Sequence, residues 1–262
     1  MPADLRDSPL VLVTAAALLG AVFGSFLNVC ILRLPAEQSL IHPPSRCPKC
    51  GSAVAWYDNI PVLSWLVLRA RCRRCGGRIS VQYPLVELGT ALIWGYMAWR
   101  HAWSLEALRG AVLGTILLGI ALTDAREYII PDEFTWGGLA LGLGFALAGG
   151  LASFGQAALG AAVGFGLLWV VGFVGGWVLK QEAMGGGDIK MMAMVGAFLG
   201  WKGVLLTIFL GALLGSLVFV PLSLAGRKRL VPFGVFLALG AAAAYLAGAG
   251  IYRWYAGLIG LA

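Results

Sequence analysis

The feature that most limits how this chain can fold is a series of about eight apolar runs, most of them near the 20 residues an α-helix needs to cross a hydrocarbon core roughly 30 Å thick. They lie near 9–32, 83–99, 104–123, 134–151, 155–179, 188–200, 203–225 and 231–252. The run near 188–200 is short and flanked by glycine, so its merger with the next run is the main ambiguity in the count. With 60% hydrophobic residues, 12% charged residues and a mean hydropathy of +0.87, the chain does not have the composition of a soluble domain. The expected fold is an all-α polytopic membrane protein of about eight transmembrane helices, embedded in a lipid bilayer. A small polar segment, 35–82, separates the first helix from the second. The first run follows Met1-Pro2-Ala3-Asp4 with no A-x-A-like cleavage site behind it, so it reads as a retained span over 1–34.

Charge supplies the expected orientation, because Lys and Arg are held on the cytoplasmic side. With an outside N-terminus, the inside loops hold Arg33, the basic residues from Arg46 to Arg78, Arg126, Lys180, Lys190 and Arg227-Lys228-Arg229. The outside loops hold only Arg6, Arg100, Arg109, Lys202 and Arg253, which puts both termini outside. The net charge of +7 is then a topology signal with a contribution from anionic lipid, and no nucleic-acid role is expected.

Two carboxylates stand at the ends of apolar runs: Asp124 in Leu122-Thr123-Asp124-Ala125-Arg126, and Asp188 in Gly185-Gly186-Gly187-Asp188-Ile189-Lys190. An ionisable group at membrane depth costs roughly 2.5–3.5 kcal/mol on insertion scales, so it points to function. The expected topology brings both to the inside edge of the membrane, 64 residues apart in sequence. If they meet, like charges a few ångströms apart cannot both ionise, and one shared proton gives the pair acid and base roles without metal. Gly185, Gly186 and Gly187 allow an extended backbone to approach closely. The plainer reading of each aspartate is an interfacial charge or a helix cap, and of the glycines a sharp turn or tight helix packing. Asp132 and Glu133 follow Pro131 and read as acids favoured in the first turn of a helix. Glu87 either pairs with basic residues or serves a second activity.

The polar segment carries Cys47-Pro48-Lys49-Cys50 and Cys72-Arg73-Arg74-Cys75, each followed by glycine. Four thiolates in two C-x-x-C knuckles suit a structural zinc ion with no open coordination position. Disulfides or redox dithiols are the alternative, disfavoured in a reducing cytoplasm. Cys30, within the first run, reads as a packing residue.

Together these stretches are similar to the type IV prepilin peptidases, also called leader peptidases and N-methyltransferases, over nearly the whole chain. The resemblance runs in order through Gly24-Ser25-Phe26-Leu27-Asn28-Val29 with Arg33-Leu34-Pro35, the cysteine knuckles, and Tyr83-Pro84-Leu85-Val86-Glu87. It continues through Asp124 with Ile130-Pro131-Asp132, Gly185 to Lys190, and Pro232-Phe233-Gly234. It implies a GxGD-type aspartic peptidase domain over 83–262, with Asp124 and Asp188 catalytic and Gly185, Gly187 and Lys190 in the active-site loop. It implies a bacterial inner-membrane location with the zinc segment and active site facing the cytoplasm. The implied substrates are prepilin or type II secretion pseudopilin precursors, cut after a glycine that ends a basic leader. Methylation of the new N-terminus by S-adenosylmethionine is implied by the resemblance alone, since 35–82 contains no glycine-rich cofactor loop and Glu87 and 24–35 are only its candidates. Gln82 stands where an arginine is common. A proton-coupled transporter, or a scaffold that docks partners through the zinc segment, would leave the aspartates dispensable for peptide cleavage.

Overall fold

The computed structural model describes residues 9–224 and 231–258, so Arg227, Lys228 and Arg229 lie outside the described residues. Its helices are α1 (Pro9–Arg33), α2 (Leu63–Val67), α3 (Gln82–His101), α4 (Leu105–Glu127), α5 (Asp132–Ala148), α6 (Leu151–Leu179), α7 (Gly186–Leu224) and α8 (Phe233–Leu258). Extended structure among the described residues is limited to two isolated bridges, Arg46 with Ala53 and Arg71 with Arg78.

Among the described residues five helices, α1, α4, α6, α7 and α8, are long and apolar enough to cross a membrane by length and composition. The difference from eight apolar runs has a physical origin. α7 is two helical halves that meet at Gly200, whose φ of 69° and ψ of 175° are not helical, and these halves correspond to the runs near 188–200 and 203–225. α5 is a helix of only 17 residues, and α3 contains Glu87 and ends in Arg100 and His101.

The chain divides into two compact units, Met1–Thr115 and Ile116–Ala262. In the first, α1 packs on α3 through a stripe of small residues. A Cβ at Gly20 would fall 2.7 Å from the Cβ of Trp94, and one at Gly24 would fall 2.7 Å from the Cα of Glu87, so hydrogen at both positions lets the helices approach. One turn on, buried Asn28 donates to the Tyr83 carbonyl at 3.1 Å. Phe23 stacks on Trp94 at 4.7 Å between ring centres, and the Trp94 indole donates to Thr115 Oγ1 at 3.0 Å. Glu87 is buried, accepts the Val62 amide at 2.7 Å and is also hydrogen-bonded by the Ser25 side chain, so its partners are a backbone amide and a hydroxyl. Val62 has φ of 62°, an outlier for a β-branched residue, and sits at the start of α2.

In the second unit α7 is the core helix, packed against α5, α6 and α8. Every residue from Met191 to Phe198 is buried, the pattern of a helix surrounded on all sides. α6 and α7 meet backbone to backbone: a Cβ at Gly196 would fall 2.1 Å from the Gly160 carbonyl oxygen. A Cβ at Gly164 would fall equally close to the Met192 carbonyl oxygen. This packing fixes the first half of α7, whose opening turn contains Asp188.

Candidate active site

Four helix ends of the second unit build the candidate site: the end of α4 and the starts of α5, α7 and α8. Asp124 lies in the last turn of α4, is 5% exposed, and follows Thr123, which is fully buried. Its Oδ2 accepts the Val235 amide, in the first turn of α8, at 3.0 Å. Asp188 lies in the first turn of α7, with its Oδ1 buried and without a hydrogen-bond partner. The two carboxylates lie within electrostatic reach of each other. Both line one cavity of about 300 Å³ together with Tyr128, Ile129, Ile130, Asp132, Gly185, Gly186, Gly187 and Lys190. The sequence-predicted aspartates, loop glycines and lysine are thus together at one place.

Local sequence explains this convergence. Tyr128 caps α4 by donating its amide to the Asp124 carbonyl at 3.0 Å, and its φ of 57° turns the chain into Ile129-Ile130-Pro131. Pro131 precedes α5, and Asp132 opens it, as expected of acids at a helix start. Asp132 has a second partner that sequence reasoning missed. Lys190 Nζ donates to Asp132 Oδ1 at 2.7 Å and to Oδ2 at 2.9 Å, joining the starts of α5 and α7. Both side chains are partly exposed, so the pair contributes about 0–1 kcal/mol. The glycines differ in their surroundings: a Cβ at Gly185 would meet Asp188 Oδ2 at 3.1 Å, one at Gly187 would meet the Ile130 Cβ at 2.9 Å, and one at Gly186 would meet nothing within 4 Å. Tyr128 carried no sequence signal that would have marked it as a site residue, and Ile130 was marked only by its place in the Ile130-Pro131-Asp132 stretch.

The first unit holds the second predicted constellation. Cys47, Cys50, Cys72 and Cys75 bring four sulfurs within 4.8 Å of one another, with Cys47 and Cys75 Sγ 3.8 Å apart. A tetrahedron with metal–sulfur bonds of about 2.3 Å has edges of about 3.8 Å, so the donor set fits a metal ion such as zinc. The two knuckles have the same construction. Cys47 and Cys72 donate their amides to the Ser52 and Gly77 carbonyls and accept the Gly51 and Gly76 amides. Gly51 and Gly76 take φ of 69° and 67°, the left-handed region where glycine is favoured. The Cys50 thiol is pulled down to about 6, first by its hydrogen bond with the Ser52 hydroxyl. Cys72 is lowered, first by the Cys75 amide. Cys75 is pushed up to about 11, because the downward pull of the Gly77 amide is outweighed by the other thiols and by desolvation. Thiolates so close together cannot all form unless a cation offsets their charge. Arg73, inside the second knuckle, grips Asp58 with contacts of 2.6 and 2.9 Å, tying it to the 3₁₀ turn Trp56–Asn59. Cys30 is buried within α1, in keeping with a packing residue.

The bacterial peptidase A24 N-terminal domain matches residues 18–101, and the type IV leader peptidase family matches residues 80–220. A prepilin leader peptidase/N-methyltransferase of Pseudomonas putida is 38% identical over 98% of this chain and 98% of its own length. One from Pseudomonas aeruginosa is 36% identical over 96% of each chain. One from Myxococcus xanthus is 44% identical over 79% of this chain, and the match covers 62% of that protein. No solved structure is significantly similar to the chain. The helical architecture, the multi-pass apolar helices, the cysteine cluster and these matches converge: the chain belongs to the type IV leader peptidase family.

Proposed function

We propose that this chain is a membrane aspartic endopeptidase that removes basic leaders from type IV prepilins or type II secretion pseudopilins, cutting after glycine, and that it also N-methylates the new N-terminus. The observation that carries the peptidase reading is the placement of Asp124 and Asp188, from two separate helices, around one cavity beside a glycine loop. One carboxylate takes a proton from water as that water attacks the scissile carbonyl, while the protonated partner donates a hydrogen bond to the carbonyl oxygen. The tetrahedral intermediate then collapses: the C–N bond breaks and the proton passes to the leaving amine. The pair ends with one shared proton, as it began, and titrates as a unit. Gly185 and Gly187 leave room for Asp188 and for Ile130, and Lys190 holds Asp132 at the rim. A precursor with its apolar helix in the bilayer presents its scissile bond near the membrane edge, where helix-terminal carboxylates lie.

The Lys and Arg bias supports a cytoplasmic face for this edge and for the cysteine segment, and the bacterial relatives support the inner membrane as the location. Cys47, Cys50, Cys72 and Cys75 would hold zinc, which neutralises four thiolates and cross-links a segment with little core of its own. S-adenosylmethionine would supply the methyl group, in line with the names of the relatives. In the first unit Glu87 is engaged by the Val62 amide and the Asn28 amide group by backbone carbonyls, and no residue is assigned to this cofactor. The test is incubation of the purified protein in detergent with a pilin precursor and labelled S-adenosylmethionine. The expected result is a shortened product that carries the label on its new N-terminus. An uncut precursor with a proven substrate overturns the peptidase reading, and a cut but unlabelled product overturns the methyl-transfer reading.

A further inference from the structure

Pro232-Phe233-Gly234 has no part in the chemistry described above, yet it opens α8 directly against Asp124. In the first turn of a helix the backbone N–H groups have no partner four residues back. Val235 directs its N–H to Asp124 Oδ2 at 3.0 Å, across 111 residues of sequence, and shares it with the Pro232 carbonyl at 3.3 Å. A Cβ at Gly234 would fall 2.9 Å from Asp124 Oδ2 and 2.7 Å from Ile130 Cδ1, so the absence of a side chain allows α8 to come so near. Ile130 is 9% exposed and presses equally on Gly187, the residue before Asp188.

We propose that residues 232–235 are the positioning element for Asp124: the Val235 N–H fixes one carboxylate oxygen, and Gly234 leaves the space that oxygen and Ile130 occupy. The proposal rests on the reading of Asp124 as catalytic. Proline at 235 removes this N–H but its ring also disfavours the helical conformation of the preceding Gly234, so a second variant without proline is needed beside it. The test is precursor cleavage by the full-length protein in detergent, with kcat, KM and the thermal unfolding midpoint measured for each variant. For Val235→Pro, kcat should fall about tenfold to a hundredfold below that of Val235→Ala, the worth of a hydrogen bond to a carboxylate, with similar KM and midpoint. Equal kcat in the two variants overturns the proposal, as does a loss of kcat that is matched by a raised KM and a lowered midpoint. Gly234→Ala tests the same point without proline. Adding Ile130→Val removes the Cδ1 clash but leaves the one with Asp124 Oδ2, so the double variant should regain part of the midpoint lost in Gly234→Ala while kcat stays low. Recovery of kcat in that double variant overturns the proposal. Asp124→Asn, run alongside, separates the two levels. Cleavage retained there removes the catalytic reading itself. Cleavage lost there, with undiminished kcat in Val235→Pro, removes only the positioning role.

Discussion

Alanine substituted at each of the three loop glycines should produce three different kinetic outcomes, and the structure gives their order. None of Gly185, Gly186 and Gly187 has a positive φ, so alanine meets no backbone strain at any of them. Alanine also restricts the unfolded chain more than glycine does, so stability should change by no more than about 1 kcal/mol. The local contacts differ. Ordinary contact begins at 3.4 Å, whereas a Cβ at Gly187 sits 2.9 Å from the Ile130 Cβ and one at Gly185 sits 3.1 Å from Asp188 Oδ2. Relief therefore requires shifts of 0.5 Å (3.4 minus 2.9) and 0.3 Å (3.4 minus 3.1). A misplacement of about 1 Å can cost roughly a hundredfold in rate, and proportional scaling in activation free energy gives about tenfold for Gly187→Ala and about fourfold for Gly185→Ala. Gly186→Ala projects a methyl into open space inside the cavity, so it should raise KM and keep kcat nearest the native value. Single-turnover cleavage of a precursor in detergent, followed as a function of precursor concentration, separates these effects. A lower kcat for Gly186→Ala than for Gly187→Ala, or equal losses in all three, would refute the reasoning.

Three other outcomes follow from the same geometry. Cys47→Ser and Cys72→Ser should each lose the bound metal, from about one zinc per chain to near none by elemental analysis, and should make 35–82 sensitive to protease; full zinc content in both would contradict a four-sulfur site. Lys190→Met and Asp132→Asn, combined in a double-mutant cycle, should show a coupling of no more than about 1 kcal/mol in thermal unfolding, because both side chains are partly exposed, and a value near 3 kcal/mol would show a dry ion pair instead. Hydrogen bonds from Arg73 hold the Asp58 carboxyl below its ordinary 3.8, so its stabilisation is complete above that value and is lost as pH falls through the lower folded-state value. Proteolysis of 35–82 should therefore accelerate at acid pH in the native chain, and Asp58→Asn should remove that pH dependence.

The parts legible in the sequence were those encoded by local pattern. Apolar runs of helical length gave the helices, and the glycine-flanked run near 188–200 ends where the structure breaks α7 into two halves at Gly200. C-x-x-C followed by glycine gave the knuckles, because a tight turn with positive φ needs glycine at a fixed offset. Asp124 and Asp188 stood out because a carboxylate at the end of an apolar run is unusual. What was not legible depends on contacts between distant segments. The Lys190–Asp132 pair joins residues 58 apart and the Val235–Asp124 bond residues 111 apart, and neither leaves a periodic signal. Beyond its place in the Ile130-Pro131-Asp132 stretch, Asp132 reads as a helix-start acid, which it is, because nothing local distinguishes that role from a second one at the rim of a cavity. Ile130 resembles any apolar residue before a proline; its importance comes from the two glycine backbones it touches.

The most direct test of the central claim is cleavage of a purified pilin precursor by the purified protein in detergent, with the native chain compared with Asp124→Asn and Asp188→Asn at equal membrane insertion and zinc content. The account predicts cleavage by the native chain and none by either variant, because the pair shares one proton between two indispensable roles. Cleavage retained by either variant would contradict it.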